Sequence, residues 1–114
     1  MSLKITRRYL GDVILLDCVG RATLGEGAAC IRDTVRNVAD EGWKKILINL
    51  AEVSYIDAAG IGELSDAFTY ASDRDGMVKL LALTKRVQDL LQITKLYSIF
   101  DVYNDEAEAV RSFE

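Results

Sequence analysis

The sequence contains no histidine and no proline, and it has only two cysteines. Without histidine, a chain lacks the commonest general base, the commonest metal ligand and every Ser–His or Cys–His nucleophile pair. Cys18 and Cys30 have apolar neighbours. Neither belongs to a Cys-x-x-Cys pair, which argues against zinc and redox chemistry. We therefore expect two reduced core cysteines, no cofactor, no metal and no enzymatic activity.

The chain also lacks long apolar runs and clusters of basic residues. No stretch approaches the ~20 apolar residues that a membrane-spanning helix requires, and residues 1–8 contain no apolar core of a secretory signal. The formal net charge is −4, and the lysines and arginines are scattered, which disfavours nucleic-acid binding. These features predict a cytoplasmic protein that neither inserts into a membrane nor binds nucleic acid directly.

The composition is that of a globular protein: half of the 114 residues are hydrophobic and 28% are charged. This length predicts one domain over residues 1–114. Apolar patterning predicts strands at 3–9, 12–19, 46–50, 77–83 and 99–103, the second of them apolar enough to be covered on both faces. Strands separated by helices pair in parallel, and the N-terminal hairpin adds an antiparallel edge, so we expect an α/β fold in the order ββαβαβαβα.

Capping signals place the helices between these strands. Thr23 with Glu26 matches a capping box before the first helix, and Gly42 is placed to end that helix. Asp57 or Gly60 is expected to cap a second helix at about 61–73, after a loop over 51–60. Thr84 is expected to cap the third helix, and Asn104 is expected to open the last.

The most unusual segment surrounds the start of the second helix. Small residues at positions 58–60 and 62 leave the backbone bare, so that another surface could approach closely. The first-turn N–H groups are unpaired donors, and the helix dipole favours an anion there. Two interpretations stay open from the residues alone: a close packing turn between helix and sheet, or a binding surface. Neither Gly25-Glu26-Gly27 nor Gly60-Ile61-Gly62 has the further residues of a phosphate-binding loop.

This segment resembles the STAS-domain anti-sigma factor antagonists of bacterial partner switching. The residues that carry the resemblance are the strand at 46–50 followed by Tyr55-Ile56-Asp57-Ala58-Ala59-Gly60-Ile61-Gly62. The family pattern there is a buried strand, then Asp-Ser-Ser/Ala/Thr-Gly-hydrophobic-Gly, and the resemblance covers nearly the whole chain. It implies a mixed β-sheet with helices packed mainly on one face.

The resemblance also implies a function in signalling by protein binding. Such proteins bind an anti-sigma factor that is also a serine kinase, and thereby release a sigma factor that regulates transcription. The kinase phosphorylates the serine directly after the Asp, but this chain has Ala58 there and Ala59 next. It also reads Gly20-Arg21-Ala22-Thr23 where the family often reads Gly-x-Leu-Asp. The phosphorylation switch therefore cannot operate at Ala58.

The resemblance gives a set of candidate partner-binding residues around this segment. They are Arg21, Thr23, Ser54, Asp57, Ala58, Ala59, Gly60, Ile61, Gly62 and Glu63. Hydroxyls that are candidates to replace the missing phosphosite are those of Ser54, Ser65 and Thr23, for each of which a local capping or solvent role is the alternative.

The expected partner is a kinase-type anti-sigma factor or a related ATPase. The alternatives are a STAS subunit of a transporter-ATPase complex, a scaffold in stress signalling, and a small-ligand sensor or enzyme. The oligomeric state, including a homodimer, stays open.

Overall fold

The described part of the chain, residues 3–114 of a computed structural model, forms a five-stranded sheet with four α-helices and one short 3-10 helix. The elements in chain order are β1 (Leu3–Leu10), β2 (Val13–Ala22), α1 (Glu26–Asp40), β3 (Lys45–Ile56), α2 (Ala58–Ser72), β4 (Met77–Leu81), α3 (Lys85–Ile93), the 3-10 helix (Tyr97–Ile99), β5 (Val102–Tyr103) and α4 (Glu106–Arg111). This order confirms the predicted ββαβαβαβα arrangement.

The strands lie in the order β1-β2-β3-β4-β5. The β1–β2 hairpin is antiparallel, with Leu10 opposite Val13, and the other three pairs are parallel. Gly11 adopts a φ of 65° in the hairpin turn, a conformation that glycine takes at no steric cost. The mixed sheet predicted from the hairpin and the helical crossovers is therefore confirmed.

Strand β2 explains where the core lies. Its side chains alternate between two hydrophobic clusters, with Ile14 and Leu16 in the larger and Val13 and Leu15 in the smaller. The larger cluster includes residues from α1, α2 and α3, whereas the smaller includes Ala109 of α4. Three helices thus pack on one face and one on the other, as expected for a strand that is apolar at nearly every position.

The predicted loop over 51–60 is wrong, because β3 continues to Ile56. The pairing between β2 and β3 shifts register twice, and each shift places an extra residue in β3. Consequently Leu50, Val53 and Ile56 are buried at intervals of three rather than two. Such irregularities remove the alternating pattern by which a half-buried strand is recognised in a sequence.

Two of the predicted helix caps are confirmed. The Asp57 carboxylate accepts a hydrogen bond from the Gly60 N–H, and the Thr84 hydroxyl oxygen accepts one from the Val87 N–H. Because Asp57 is the cap, α2 begins at Ala58 and ends at Ser72, earlier than predicted.

The capping box at Thr23 and Glu26 is wrong. Helix α1 begins at Glu26 itself, and its N-cap is Gly25, which has a φ of 100° and offers no side-chain oxygen. Glu26 is therefore the first helical residue and not the third, so it cannot make the reciprocal bond of a capping box. At the other end of α1, Gly42 has a φ of 103° directly after the C-cap residue, as predicted.

The C-terminal elements differ in their bounds from the prediction. Strand β4 ends at Leu81, and β5 is reduced to two residues because a 3-10 helix occupies Tyr97–Ile99. Helix α4 is capped by Asp105 rather than Asn104, since the Asp105 carboxylate accepts from the Glu108 N–H at 2.9 Å.

The two cysteines differ in their surroundings. Both are free, but Cys18 is buried whereas Cys30 is only half-buried, so the expected core position holds for Cys18 alone. Burial raises the pKa of the Cys18 thiol to about 12, which keeps it protonated at neutral pH. Across residues 3–114, no helix has the length and apolarity to cross a membrane.

Candidate protein-binding site

The ends of β2 and β3 bring the candidate residues together. In the parallel pairing, Arg21 lies opposite Tyr55 and Ala22 lies opposite Ile56. The loop before α1 and the first turn of α2 both follow these strand ends directly. We call the surface formed by residues 21–25, 54–55 and 57–63 the corner. It lies at the carboxyl edge of the parallel strands, where α/β proteins commonly place their binding sites.

Asp57 holds the two segments of the corner together. Its Oδ1 accepts a hydrogen bond from the Gly60 N–H at 3.1 Å, and its Oδ2 accepts one from the Leu24 N–H at 3.0 Å. These backbone donors, that of Leu24 foremost, hold the pKa of Asp57 below its usual value. The carboxylate is thus ionised at neutral pH and already engaged within the chain.

The two interpretations of the small residues, a packing turn and a binding surface, apply to different positions. A Cβ atom at Gly60 would lie 2.1 Å from the Ala22 carbonyl oxygen, and one at Gly27 would lie 2.1 Å from the Arg21 carbonyl oxygen. Both helices therefore pack directly on the end of β2 through glycine. A Cβ atom at Gly62 would meet nothing within 4 Å. Gly60 belongs to a packing turn, whereas Gly62 lies on an open surface.

Exposure divides the candidates on α2 further. Ala58 and Gly62 are exposed, and Ala59 is half-buried. Ile61 is only 1% exposed and packs in the larger core cluster, so its side chain is not available to a partner. Glu63 is half-buried, and its Oε2 lies 3.4 Å from Nη1 of Arg32 on α1.

The candidate hydroxyls differ in how they are placed. Ser54 is exposed, and its Oγ donates to the Gly20 carbonyl oxygen at 3.2 Å. Thr23 is half-buried, and its carbonyl oxygen accepts from the Ala28 N–H at 2.9 Å. Ser65 is half-buried within α2. Of the three, the Ser54 hydroxyl is the one on an exposed residue.

Sequence reasoning missed two exposed residues of this region. Leu24 is 81% exposed at the tip of the loop before α1. Arg86, at the start of α3, donates from Nη2 to the Tyr55 hydroxyl at 2.8 Å and from Nε to the Ile56 carbonyl oxygen at 3.2 Å. The exposed leucine in a loop carried a signal in the sequence, whereas the Arg86 contact depends on the folding of a distant segment.

A shallow depression of about 530 Å³ lies away from the corner. It is lined by Gly11, Asp12, Gly42, Trp43, Lys44 and Lys45. These residues belong to the β1–β2 turn, the connection between α1 and β3, and the first residue of β3, at the opposite end of the parallel strands. The corner itself presents a loop tip, a strand end and a bare helical turn, a shape that suits contact with another protein.

The fold is that of solved anti-sigma factor antagonists. A structure of an anti-sigma factor antagonist from Mycobacterium paratuberculosis superimposes with a TM-score of 0.83 over 97% of this chain and 93% of that one. The two sequences are 15% identical. At that identity the likeness concerns the architecture: a mixed sheet with three helices on one face.

The family itself follows from the sequence comparison. The family model of the STAS domain matches residues 10–109, and the chain belongs to the STAS domain family. It is 38% identical over 61 residues to the anti-sigma-B factor antagonist of Listeria monocytogenes, a match that spans 54% of each chain and thus about half of that relative. It is 32% identical over 75 residues to the anti-sigma-B factor antagonist of Bacillus subtilis, across 66% of this chain and 68% of that one. The family resemblance seen in the sequence is confirmed.

Proposed function

We propose that this chain is a cytoplasmic anti-sigma factor antagonist that binds an anti-sigma factor through the corner and performs no catalysis of its own. Membership of the STAS domain family and the names of its relatives support this proposal. The corner adds exposed small residues beside an exposed leucine, a surface that a partner can approach closely. The Asp57 carboxylate, whose pKa is lowered, accepts hydrogen bonds from backbone N–H groups and thereby positions the loop before α1.

The observation that carries the mechanism is the exposed Ala58 at the first position of α2. A phosphoserine at such a position would bring a charge of about −1.5 to −2 and three acceptor oxygens. The positive end of the helix dipole would stabilise that charge within the chain, while a partner docked on the corner would have to desolvate it. Alanine carries no hydroxyl, so we propose that the corner stays competent for binding when the partner is a serine kinase.

The first experiment measures binding to the purified anti-sigma-B factor of Bacillus subtilis by titration calorimetry. We expect the wild-type chain to bind, and Ala58→Glu to weaken binding at least tenfold, because it places a longer, charged side chain in the contact, which the partner would have to desolvate. Asn37→Glu is the matched control, since it adds the same charge to an exposed position on α1 away from the corner. Equal affinities of the wild type and Ala58→Glu would show that the partner contacts another surface.

The second experiment tests the missing switch. The wild-type chain and Ala58→Ser are incubated with the same anti-sigma factor and ATP, and bound phosphate is measured by mass spectrometry. We expect phosphate on Ala58→Ser alone, followed by loss of its binding. Phosphate on Ser54, Ser65 or Thr23 of the wild-type chain, with loss of binding, would show that another hydroxyl carries the switch and would overturn permanent competence.

The absence of a hydroxyl at position 58 also favours a second candidate. A STAS subunit of a transporter-ATPase complex, or of a stress-signalling scaffold, would hold its partner permanently and would need no phosphorylation switch. Affinity capture from a native lysate, with Ala58→Glu as the control, separates the two. Recovery of an ATPase subunit by the wild type alone would favour the second candidate. Sedimentation of the purified chain would determine whether it forms a homodimer.

A further inference from the structure

Two arginines converge on one exposed tyrosine at the corner. The guanidinium carbon of Arg86 lies 4.4 Å from the centroid of the Tyr55 ring, and that of Arg21 lies 5.4 Å from it. Tyr55 is 40% exposed, and both arginines are exposed. A single aromatic ring therefore supports two cationic side chains that face solvent.

Within residues 3–114, neither of the two arginines forms an ion pair with an acidic side chain. Of the eight arginines in the sequence, five lie within 4.0 Å of a carboxylate oxygen. Across residues 3–114, the three without such an ion pair are Arg21, Arg86 and Arg111. Arg111 lies on α4, so both remaining arginines meet at the corner. Both guanidinium groups lie against the Tyr55 ring without a carboxylate oxygen of the described chain within 4.0 Å.

The remaining hydrogen-bonding capacity of this cluster suits a carboxylate. Arg86 uses Nε and Nη2 to donate to Ile56 and Tyr55, which fixes its position and leaves Nη1 free of side-chain and backbone acceptors in the described chain. A guanidinium group has five N–H donors in a planar fork that matches a carboxylate. Because Arg86 is already held in place, little side-chain entropy would be lost when it binds an acidic group.

The net charge of the chain favours an acidic group of a protein partner as the ligand of this arginine pair. The formal net charge is −4, so most of the surface would repel an acidic segment, and the arginine pair would attract it. Such complementarity orients a partner as it approaches and raises the association rate. Tyrosine and arginine are also the residue types enriched where binding energy concentrates in protein interfaces.

We propose that Arg21 and Arg86, supported by Tyr55, form a receptor for an acidic side chain of the partner protein. The identity of the partner rests on the proposed function, whereas the receptor rests on the geometry of the three residues. The receptor would determine which anti-sigma factors are accepted, since a partner without an acidic residue at this position would leave two arginines unpaired in the contact.

The first test compares single variants in binding to the anti-sigma-B factor of Bacillus subtilis. We expect Arg21→Gln and Arg86→Gln each to lower the affinity about tenfold, largely through the association rate, and to reduce its dependence on salt concentration. Arg111→Gln is the matched control, because it removes an exposed arginine that also lacks an ion pair, and we expect its affinity to stay within twofold of the wild type. Circular dichroism verifies that each variant is folded.

If the wild type binds but neither Arg21→Gln nor Arg86→Gln changes the affinity by more than twofold, the receptor is overturned and the proposed function stands. An equal loss in Arg111→Gln would also overturn it, because the effect would then be one of general charge. If the wild type does not bind this anti-sigma factor, the outcome counts against the proposed function. A second measurement, which uses no partner protein, then tests whether the arginine receptor exists.

The second measurement is an NMR titration of the ¹⁵N-labelled chain with a short, amidated tetraglutamate peptide. We expect saturable shifts of the Arg21 and Arg86 Nε–H signals, no comparable shift of the Arg111 signal, and loss of the response in the double variant Arg21→Gln/Arg86→Gln. A tetralysine peptide should give no such shifts. Shifts spread evenly over the basic residues, shifts that persist in the double variant, or none at all would overturn the receptor.

Discussion

The backbone N–H of Leu24 donates a hydrogen bond to Asp57 Oδ2 at 3.0 Å, and this contact ties the loop before α1 to the start of α2. The other oxygen of the same carboxylate accepts from Gly60 and caps α2. One side chain thus fixes both segments of the corner. Asp57 therefore acts as a positioning residue, and it holds in place the corner residues that we propose the partner contacts.

Asp57→Ala should destabilise the fold by about 1–2 kcal/mol, because it removes the cap of α2 and the acceptor for Leu24. Urea denaturation followed by circular dichroism measures the free energy of unfolding. Asp33→Ala is the control: it removes a carboxylate that is 65% exposed and pairs with the adjacent Arg32, so we expect a change within about 0.5 kcal/mol. Equal effects of the two substitutions would contradict the dual role of Asp57.

The contribution of the Asp57 charge should disappear in acid. Its folded-state pKa is lowered, foremost by the Leu24 N–H, from an ordinary value of 3.8. A group with a lowered pKa stabilises the fold above its unfolded-state pKa and loses that contribution as the pH falls through the folded-state pKa. The difference in free energy of unfolding between the wild type and Asp57→Asn should therefore be largest near neutral pH and shrink below about pH 3.8. A difference that stays constant with pH would show that the charge contributes nothing.

Two glycines of α2 should respond in opposite directions to alanine. Gly60→Ala should destabilise by about 3 kcal/mol or more, because its Cβ would lie 2.1 Å from the Ala22 carbonyl oxygen. Gly62→Ala should stabilise by about 0.5–1 kcal/mol, because its Cβ meets open space within a helix. Thermal unfolding of both variants provides the comparison. A similar change in both would mean that the close contact between α2 and β2 is absent in solution.

Lys79 should anchor the C-terminal end of the chain. The residue is 7% exposed, and its Nζ donates to both the carbonyl oxygen and the Oγ of Ser112 at 3.0 Å. Lys79→Ala should cost about 2 kcal/mol, since it leaves a half-buried carbonyl without its charged donor. Lys85→Ala, which removes an 88% exposed ammonium, should stay within about 0.5 kcal/mol. Amide hydrogen exchange within α4 would measure how far this helix is loosened in Lys79→Ala. Unchanged protection there would contradict the anchoring role of Lys79.

Local signals predicted much of the fold. The run of β2, apolar at nearly every position, identified a strand covered on both faces. The caps at Asp57 and Thr84 were readable because each lies three residues before the N–H that it accepts from. The same kind of signal was misleading at Thr23, since a capping box requires the helix to begin directly after the threonine. The N-cap is Gly25, two residues after Thr23, and α1 begins at Glu26.

The candidate site was predictable in its sequence and less so in its geometry. The motif from Asp57 to Gly62 stands in one continuous segment, so its small residues were visible. The distinction between Gly60 and Gly62 depends on the Ala22 carbonyl oxygen, which comes from a strand far away in the sequence. The pairing of Arg86 with Tyr55 also arises only when α3 packs beside the end of β3.

The direct contacts of Gly27 and Gly60 with the carbonyls of β2 separate the shape of the corner from its chemistry. The shape depends on backbone atoms that meet without intervening side chains, whereas Leu24, Tyr55 and Ala58 project outside these contacts. Random replacement of those three positions should therefore produce a library of chains with one scaffold and many recognition properties. The same separation gives evolution a route to new partners that does not require a new fold.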